Sequence, residues 1–288
     1  VRKAYQQHYQ RVKKSLPQTP ADWPKIFGFE AKLAEYSWTD VELRDIHKNY
    51  NKFSIKKLQK TYPSFDWLAY FEGLDWRSPN DHIIVNHPSY FAKLFALLDS
   101  APLDEIKKYF AWQTISSFLP WLSPETSGIS FDFYGKTLSG ASEMKPLWKR
   151  LVLQADGLII GEALGREYAA RHFPESSRQA VSQLVEDIRA VYHGRIDGLS
   201  WMGIATKKRA HQKLDNIKVF VGYPSKWQDL DVLDFCDDNF IENIRRARHL
   251  RNAIELQKIG TPPPAEDWLM NAHTVNAYHH PNRLEIVF

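Results

Sequence analysis

Across residues 261–264, Thr-Pro-Pro-Pro, the apolar residues of this chain stop recurring at helical spacing and begin to alternate. Upstream, the clearest stretch covers 176–199, where Val181, Leu184, Val185, Ile188, Val191, Tyr192, Ile196 and Leu199 follow i, i+3, i+4, i+7. Pro174 precedes that run, and Ser176 or Ser177 is placed to cap its first turn. Downstream, residues 275–278 and 284–288 read as two short strands. Three successive prolines cannot continue a helix, because each lacks an N–H and crowds the preceding turn. The pattern therefore confines the chain to a mainly α fold: a multi-helix lobe over residues 1–260, then a linker and a short C-terminal β-strand pair over 261–288.

The same periodicity predicts a helix over 104–119 that stops at Pro120, and a single long helix over 142–171. Gly161 and Gly165 in the latter are one turn apart, so another backbone can approach that face closely. Shorter helices are expected at 23–36, 54–61, 64–74, 89–99, 204–217 and 238–259, and further strands at 82–86 and 218–221. In the last strand Leu284, Ile286 and Phe288 fall on one side, Glu285 and Val287 on the other. That strand is still running at Phe288, and residues 1–14 already read as the interior of a helix. The expectation is an internal piece of a longer polypeptide.

With 288 residues, 43% hydrophobic and 25% charged, the chain can bury a sizeable core in one large or two modest domains. A net charge of +4 is too small and dispersed to argue for nucleic acid. The basic runs 207–213 and 245–251 carry apolar residues at helical spacing and acidic neighbours Asp215, Glu242 and Glu255, so they read as solvated helix faces. Cys236 is the only cysteine, which rules out a disulfide within the chain and a cysteine-based zinc site. No apolar run approaches bilayer length.

Eleven histidines form no H-E-x-x-H. The close pairs are His82/His87 and His279/His280; the latter, in a strand, would point to opposite faces, and in the turn they open they are expected to be exposed. Neither a phosphate-binding glycine loop nor a G-x-S-x-G elbow is present. There remains the strand Val275-Asn-Ala-Tyr278, in which Asn and Ala are poor strand formers. An extended edge can bind a peptide as an added strand, with the amide of Asn276 reading one more peptide group. Alternatively Asn276 bonds a neighbouring loop, and spacing alone leaves the two readings even.

Six blocks in order now carry a resemblance. They are LAEYSWTDVELRDIHKNYNKFSIKKLQKTYPSFDW (33–67), FDFYGKTLSGASEMKPLWKRLV (131–152), a set comprising LGREYAARHFPESSR, LSWMGIATKKRAHQKL and VGYPSKW (164–227), and VNAYHHPNRLEIVF at the end. Over more than two hundred residues the chain resembles the neprilysin family of zinc metallopeptidases, in its bacterial oligopeptidase O type. The absence of cysteines matching the disulfides of animal members favours the bacterial likeness.

The resemblance implies a helical lobe that closes over an active-site chamber, followed by a docking strand belonging to the sheet of the catalytic domain. It implies that Asn276 and Ala277 hydrogen-bond the backbone of a bound peptide substrate, with Tyr278 on the same wall. The family's zinc ligands and general base lie beyond this strand and are not in these 288 residues, so no catalytic or metal residue is assigned here. Zinc would be held by a companion C-terminal polypeptide. His279 and His280 depart from the family's usual residues after N-A-Y. The chain is thus expected to be the non-catalytic portion of a zinc metalloendopeptidase acting on small peptides, inactive by itself. The alternative is a stand-alone helical module that binds a peptide or protein without catalysis. Neither nucleic acid nor a transmembrane segment is expected. The resemblance implies a bacterial envelope, periplasmic or secreted protein and leaves the cytoplasm open.

Overall fold

A computed structural model describes residues 1–74, 76 and 82–288. The chain divides into two compact units, Val1–Pro146 with Glu255–Thr261, and Leu147–Ile254 with Pro262–Phe288. The fold is mainly α, as the periodicity predicts.

The first unit contains α1 (Arg2–Ser15), α2 (Trp23–Tyr36), α3 (Asp40–Leu43), α4 (Ile46–Asn49), β1 (Lys52–Ser54), α5 (Ile55–Thr61), α6 (Trp67–Gly73) and β2 (His82–Ile84). After these come α7 (Pro88–Ser100), α8 (Leu103–Leu122), α9 (Pro124–Ser130) and a π-helical segment, Phe131–Leu138. One core gathers Tyr9 and Val12 of α1, Trp23 and Ile26 of α2, Trp112 and Leu119 of α8 and Ile129 of α9. The second gathers Phe53, Leu58, Tyr62, Trp67, Val85 and Phe95 around the antiparallel pair β1–β2.

Helix starts follow from side-chain oxygens that satisfy otherwise unpaired N–H groups. Ser54 accepts from the Lys57 amide, Asp66 from that of Ala69, and Thr39 with Glu42 forms a reciprocal capping box. The predicted stop at Pro120 is not observed: α8 continues to Leu122. Proline so near the end forfeits one backbone hydrogen bond in the last turn, and Leu119 beside it is fully buried. The next helix starts afresh at Ser123, whose hydroxyl accepts from the Thr126 amide.

The second unit contains α10 (Leu147–Asp156), α11 (Gly161–His172), α12 (Glu175–Gly198), α13 (Ile204–Asp215) and β3 (Lys218–Phe220). The helix α14 (Phe240–Gln257) begins in it, and β4 (Tyr278–His280) and β5 (Glu285–Val287) complete it. The single helix expected over 142–171 is two, interrupted at 157–160. Gly161 and Gly165 do admit a close backbone, but it is the turn at 271–274, not a helix. A Cβ on Gly165 would come within 3.1 Å of the Ala272 nitrogen, and one on Gly161 would collide with Asp156 and the Asn271 side chain.

The terminal strands join β3 in a three-stranded sheet ordered β3–β5–β4. β5 runs parallel to β3, with Lys218 opposite Glu285 and Phe220 opposite Val287. It runs antiparallel to β4, with Tyr278 opposite Val287 and His280 opposite Glu285. The buried side of β5 is the one with Glu285 and Val287, each 1% exposed, whereas Phe288 is 41% exposed. Leu284 enters the strand with a positive φ of 53°, which breaks the alternation there.

Candidate functional site

β4 pairs with β5 on one side only, so among the described residues it is the edge of its sheet. Unpaired N–H and C=O groups on such an edge are a template for another extended chain. The strand begins at Tyr278, later than the predicted 275; Val275, Asn276 and Ala277 lead into it as exposed, irregular backbone. The Asn276 N–H donates to the Thr274 carbonyl (2.9 Å), and Asn276 Oδ1 accepts from the Ala277 N–H (2.8 Å). The Asn276 oxygen thus bonds the residue that follows it rather than a neighbouring loop. A local side-chain to main-chain bond of this kind competes with strand pairing, which accounts for the late start of β4.

Tyr278 is turned inward and half-buried. Its hydroxyl accepts from the Leu269 N–H (3.1 Å) and donates to the Asp267 carbonyl (3.3 Å), and burial raises its pKa above the ordinary phenol value. It therefore acts as an anchor that ties the edge strand to the 267–269 loop. The histidines that follow lie in β4 itself and not in a turn: His279 is exposed, but His280 is half-buried with Nδ1 lacking a partner.

Sequence reasoning missed the residues that hold this edge in register. Glu285, buried in the central strand, accepts from Arg283 Nε at 2.8 Å and pairs with Lys218 Nζ of β3 at 3.4 Å. Arg283 in turn donates to the Pro264 carbonyl (2.5 Å) and lies 4.0 Å from Asp267, so it joins β5 to the linker and to the loop that anchors Tyr278. Its bond to Glu285 raises the Arg283 pKa further. The legible signal was an Arg and a Glu two residues apart at the start of a strand, where i and i+2 share a face.

Among the described residues no group of three or more His, Cys, Asp or Glu side chains could hold a metal ion. The residues around Asn276 to Tyr278 do not fit zinc. His87, of the pair with His82, accepts instead from the Trp38 N–H at 3.1 Å, its ring against that indole. Two open cavities of about 580 and 690 Å³ lie in the first unit beside Arg11, Ile129 and Asp132 and have no part in the edge. No described helix is long and apolar enough to cross a membrane.

The model of peptidase family M13, in its N-terminal part, matches residues 1–224. The chain belongs to peptidase family M13. This is a family of zinc metallopeptidases, the neprilysin family whose resemblance those six blocks carry. The M13 fold is also that of the Mycobacterium tuberculosis zinc metalloprotease Zmp1 in its inhibitor complex. That structure is 32% identical and superposes with a TM-score of 0.88 over 99% of this chain and 44% of its own. PepO of Lactobacillus rhamnosis, at 22% identity, shares the fold with a TM-score of 0.83 over 97% of this chain and 45% of its own. The endothelin-converting enzyme homolog of Locusta migratoria is 26% identical over 91% of this chain. The chain spans 38% of the length of that M13 relative.

Proposed function

We propose that this chain is the substrate-orienting portion of an M13 zinc metalloendopeptidase. In this reading residues 1–260 supply a helical lobe over an active-site chamber, and residues 261–288 supply the strands that dock a small peptide substrate. The observation that carries it is the free edge of β4, continued by the exposed Asn276 and Ala277 and anchored from behind by Tyr278. A peptide pairs along that edge, the Asn276 amide donates to one of its carbonyls, and the Ala277 carbonyl accepts from one of its N–H groups. Holding the backbone extended sets the scissile carbonyl for attack, an orienting effect worth on the order of 7–11 kcal/mol at most in well-aligned systems. Zinc, where bound, supplies the Lewis acid and activated water of the family. Its ligands would come from a companion C-terminal polypeptide and not from the residues described.

In the full-length enzyme, Asn276→Ala is expected to lower kcat/KM for a short peptide about tenfold, the equivalent of one well-made hydrogen bond, with zinc content unchanged. Unaltered kinetics would refute the docking role.

A further inference from the structure

α12 and α13 pack as a hairpin, and they bring together two histidines that lie nine residues to either side of Met202 (202 − 193 and 211 − 202). His193 Nδ1 and His211 Nδ1 are 2.6 Å apart. The ring planes are inclined by only 10° while the centroids are 4.8 Å apart, nearly twice the nitrogen separation. The two imidazoles therefore meet edge to edge in a common plane, nitrogen facing nitrogen. Behind each ring is a carboxylate: His193 Nε2 lies 2.8 Å from Asp215 Oδ1, and His211 Nε2 lies 2.8 Å from Asp197 Oδ1.

Counting protons decides what sits between the rings. An ionised carboxylate only accepts, so each Nε2 must carry its hydrogen. A neutral imidazole has one N–H, which would leave both Nδ1 atoms bare and aim two lone pairs at each other across 2.6 Å. Three hydrogen bonds in the chain Asp215–His193–His211–Asp197 need three protons on two rings, one more than two neutral rings hold. The two carboxylates compensate that charge. The nearby cations are directed elsewhere: Lys207 Nζ donates to the Asp197 carbonyl (2.6 Å), and Arg189 donates to the carbonyls of Leu214, Asp215 and Ile217 and pairs with Glu186.

We propose that His193 and His211 form a proton-binding site in which a single proton, shared between the two Nδ1 atoms, clasps α12 to α13. Without that proton the two lone pairs are opposed and the clasp is loosened. Arg189 grips the last two residues of α13 and Ile217 just past it, and these lead directly into β3, so the clasp lies one short link from the sheet that carries β4. This inference does not depend on the docking role.

The test is a nitrogen-15 and proton NMR titration of the histidine rings in the full chain, recorded first without and then with a chelator. The expected result is one strongly deshielded proton coupled to both Nδ1 nuclei, lost as pH rises and absent in His193→Gln and in His211→Gln. Two rings that titrate singly with both Nδ1 atoms unprotonated would overturn the proposal. So would Nδ1 signals that move on adding the chelator, which would put a metal ion between the rings. Should either variant fail to fold, the wild-type spectrum decides the matter.

Discussion

The two units are held together by different physics. Of the twenty-one buried apolar residues among those described, sixteen lie in the first unit and five in the second. The first unit buries whole aromatic rings, and its interior polar groups are linked to one another: Trp112 Nε1 donates to the Tyr5 hydroxyl (2.8 Å), which donates to Glu30 (2.9 Å). In the second unit Leu147, Trp148, Leu153, Leu184 and Val191 are all more than half exposed. Its closures are polar instead: Arg283 and Lys218 on Glu285, Arg189 on the end of α13, and Asp156 joined to Asn271 and His273. Burial of rings is non-directional and tolerant, whereas a buried charge pair specifies one register and is costly when half of it is removed. The second mode suits an element that must present an edge strand in a fixed position.

The contrast can be tested from both sides. Trp112→Ala should cost the first unit about 3–5 kcal/mol, since it removes a fully buried indole and leaves the Tyr5 hydroxyl without its donor. Urea unfolding measures this, and a loss below about 1 kcal/mol would mean that the aromatic core is not the main support. In the second unit Glu285→Ala should cost about 3–4 kcal/mol by leaving Arg283 without its carboxylate. Amide exchange should accelerate across β3, β5 and β4; unchanged protection there would break the contrast.

The smallest of the three effects is a pH dependence in the first unit. His8 is 3% exposed and its ring is packed against Phe133 and Trp112. Burial lowers its pKa from the ordinary 6.5 to about 4, although Nδ1 donates to the Ile129 carbonyl. Between those values the unfolded chain binds a proton that the folded one refuses. The His8 contribution to stability is therefore complete above pH 6.5 and declines as pH falls toward 4, by about 3 kcal/mol in all. Comparing wild type with His8→Gln in unfolding experiments at pH 7, 5.5 and 4 isolates this share, and equal slopes for the two would refute it.

Much of the first unit was legible because its helices obey local rules. α2 has the predicted bounds, and the starts near residues 54 and 88 follow from Ser54 and Pro88. The misreadings arise where a tertiary contact outweighs the pattern. Pro120 stays within α8 because Leu119 is packed in the core, and residues 157–160 interrupt a run that periodicity joins. In β5 a carboxylate is buried, because Arg283 and Lys218 compensate it. His193 and His211 were not paired in the sequence because eighteen residues separate them. Their equal distance from the hairpin turn is visible only once the turn is placed.

The order of strands in the sheet has a consequence for how the protein is made. β5 is central, yet it is the last of the three strands along the chain, and its parallel partner β3 precedes it by more than sixty residues. A nascent chain that has exposed β3 and β4 but still holds residues 285–287 in the ribosome has no sheet and therefore no edge to offer. Such long-range pairing also forms late in folding. A half-synthesised molecule thus lacks the surface on which extended segments of neighbouring chains could align.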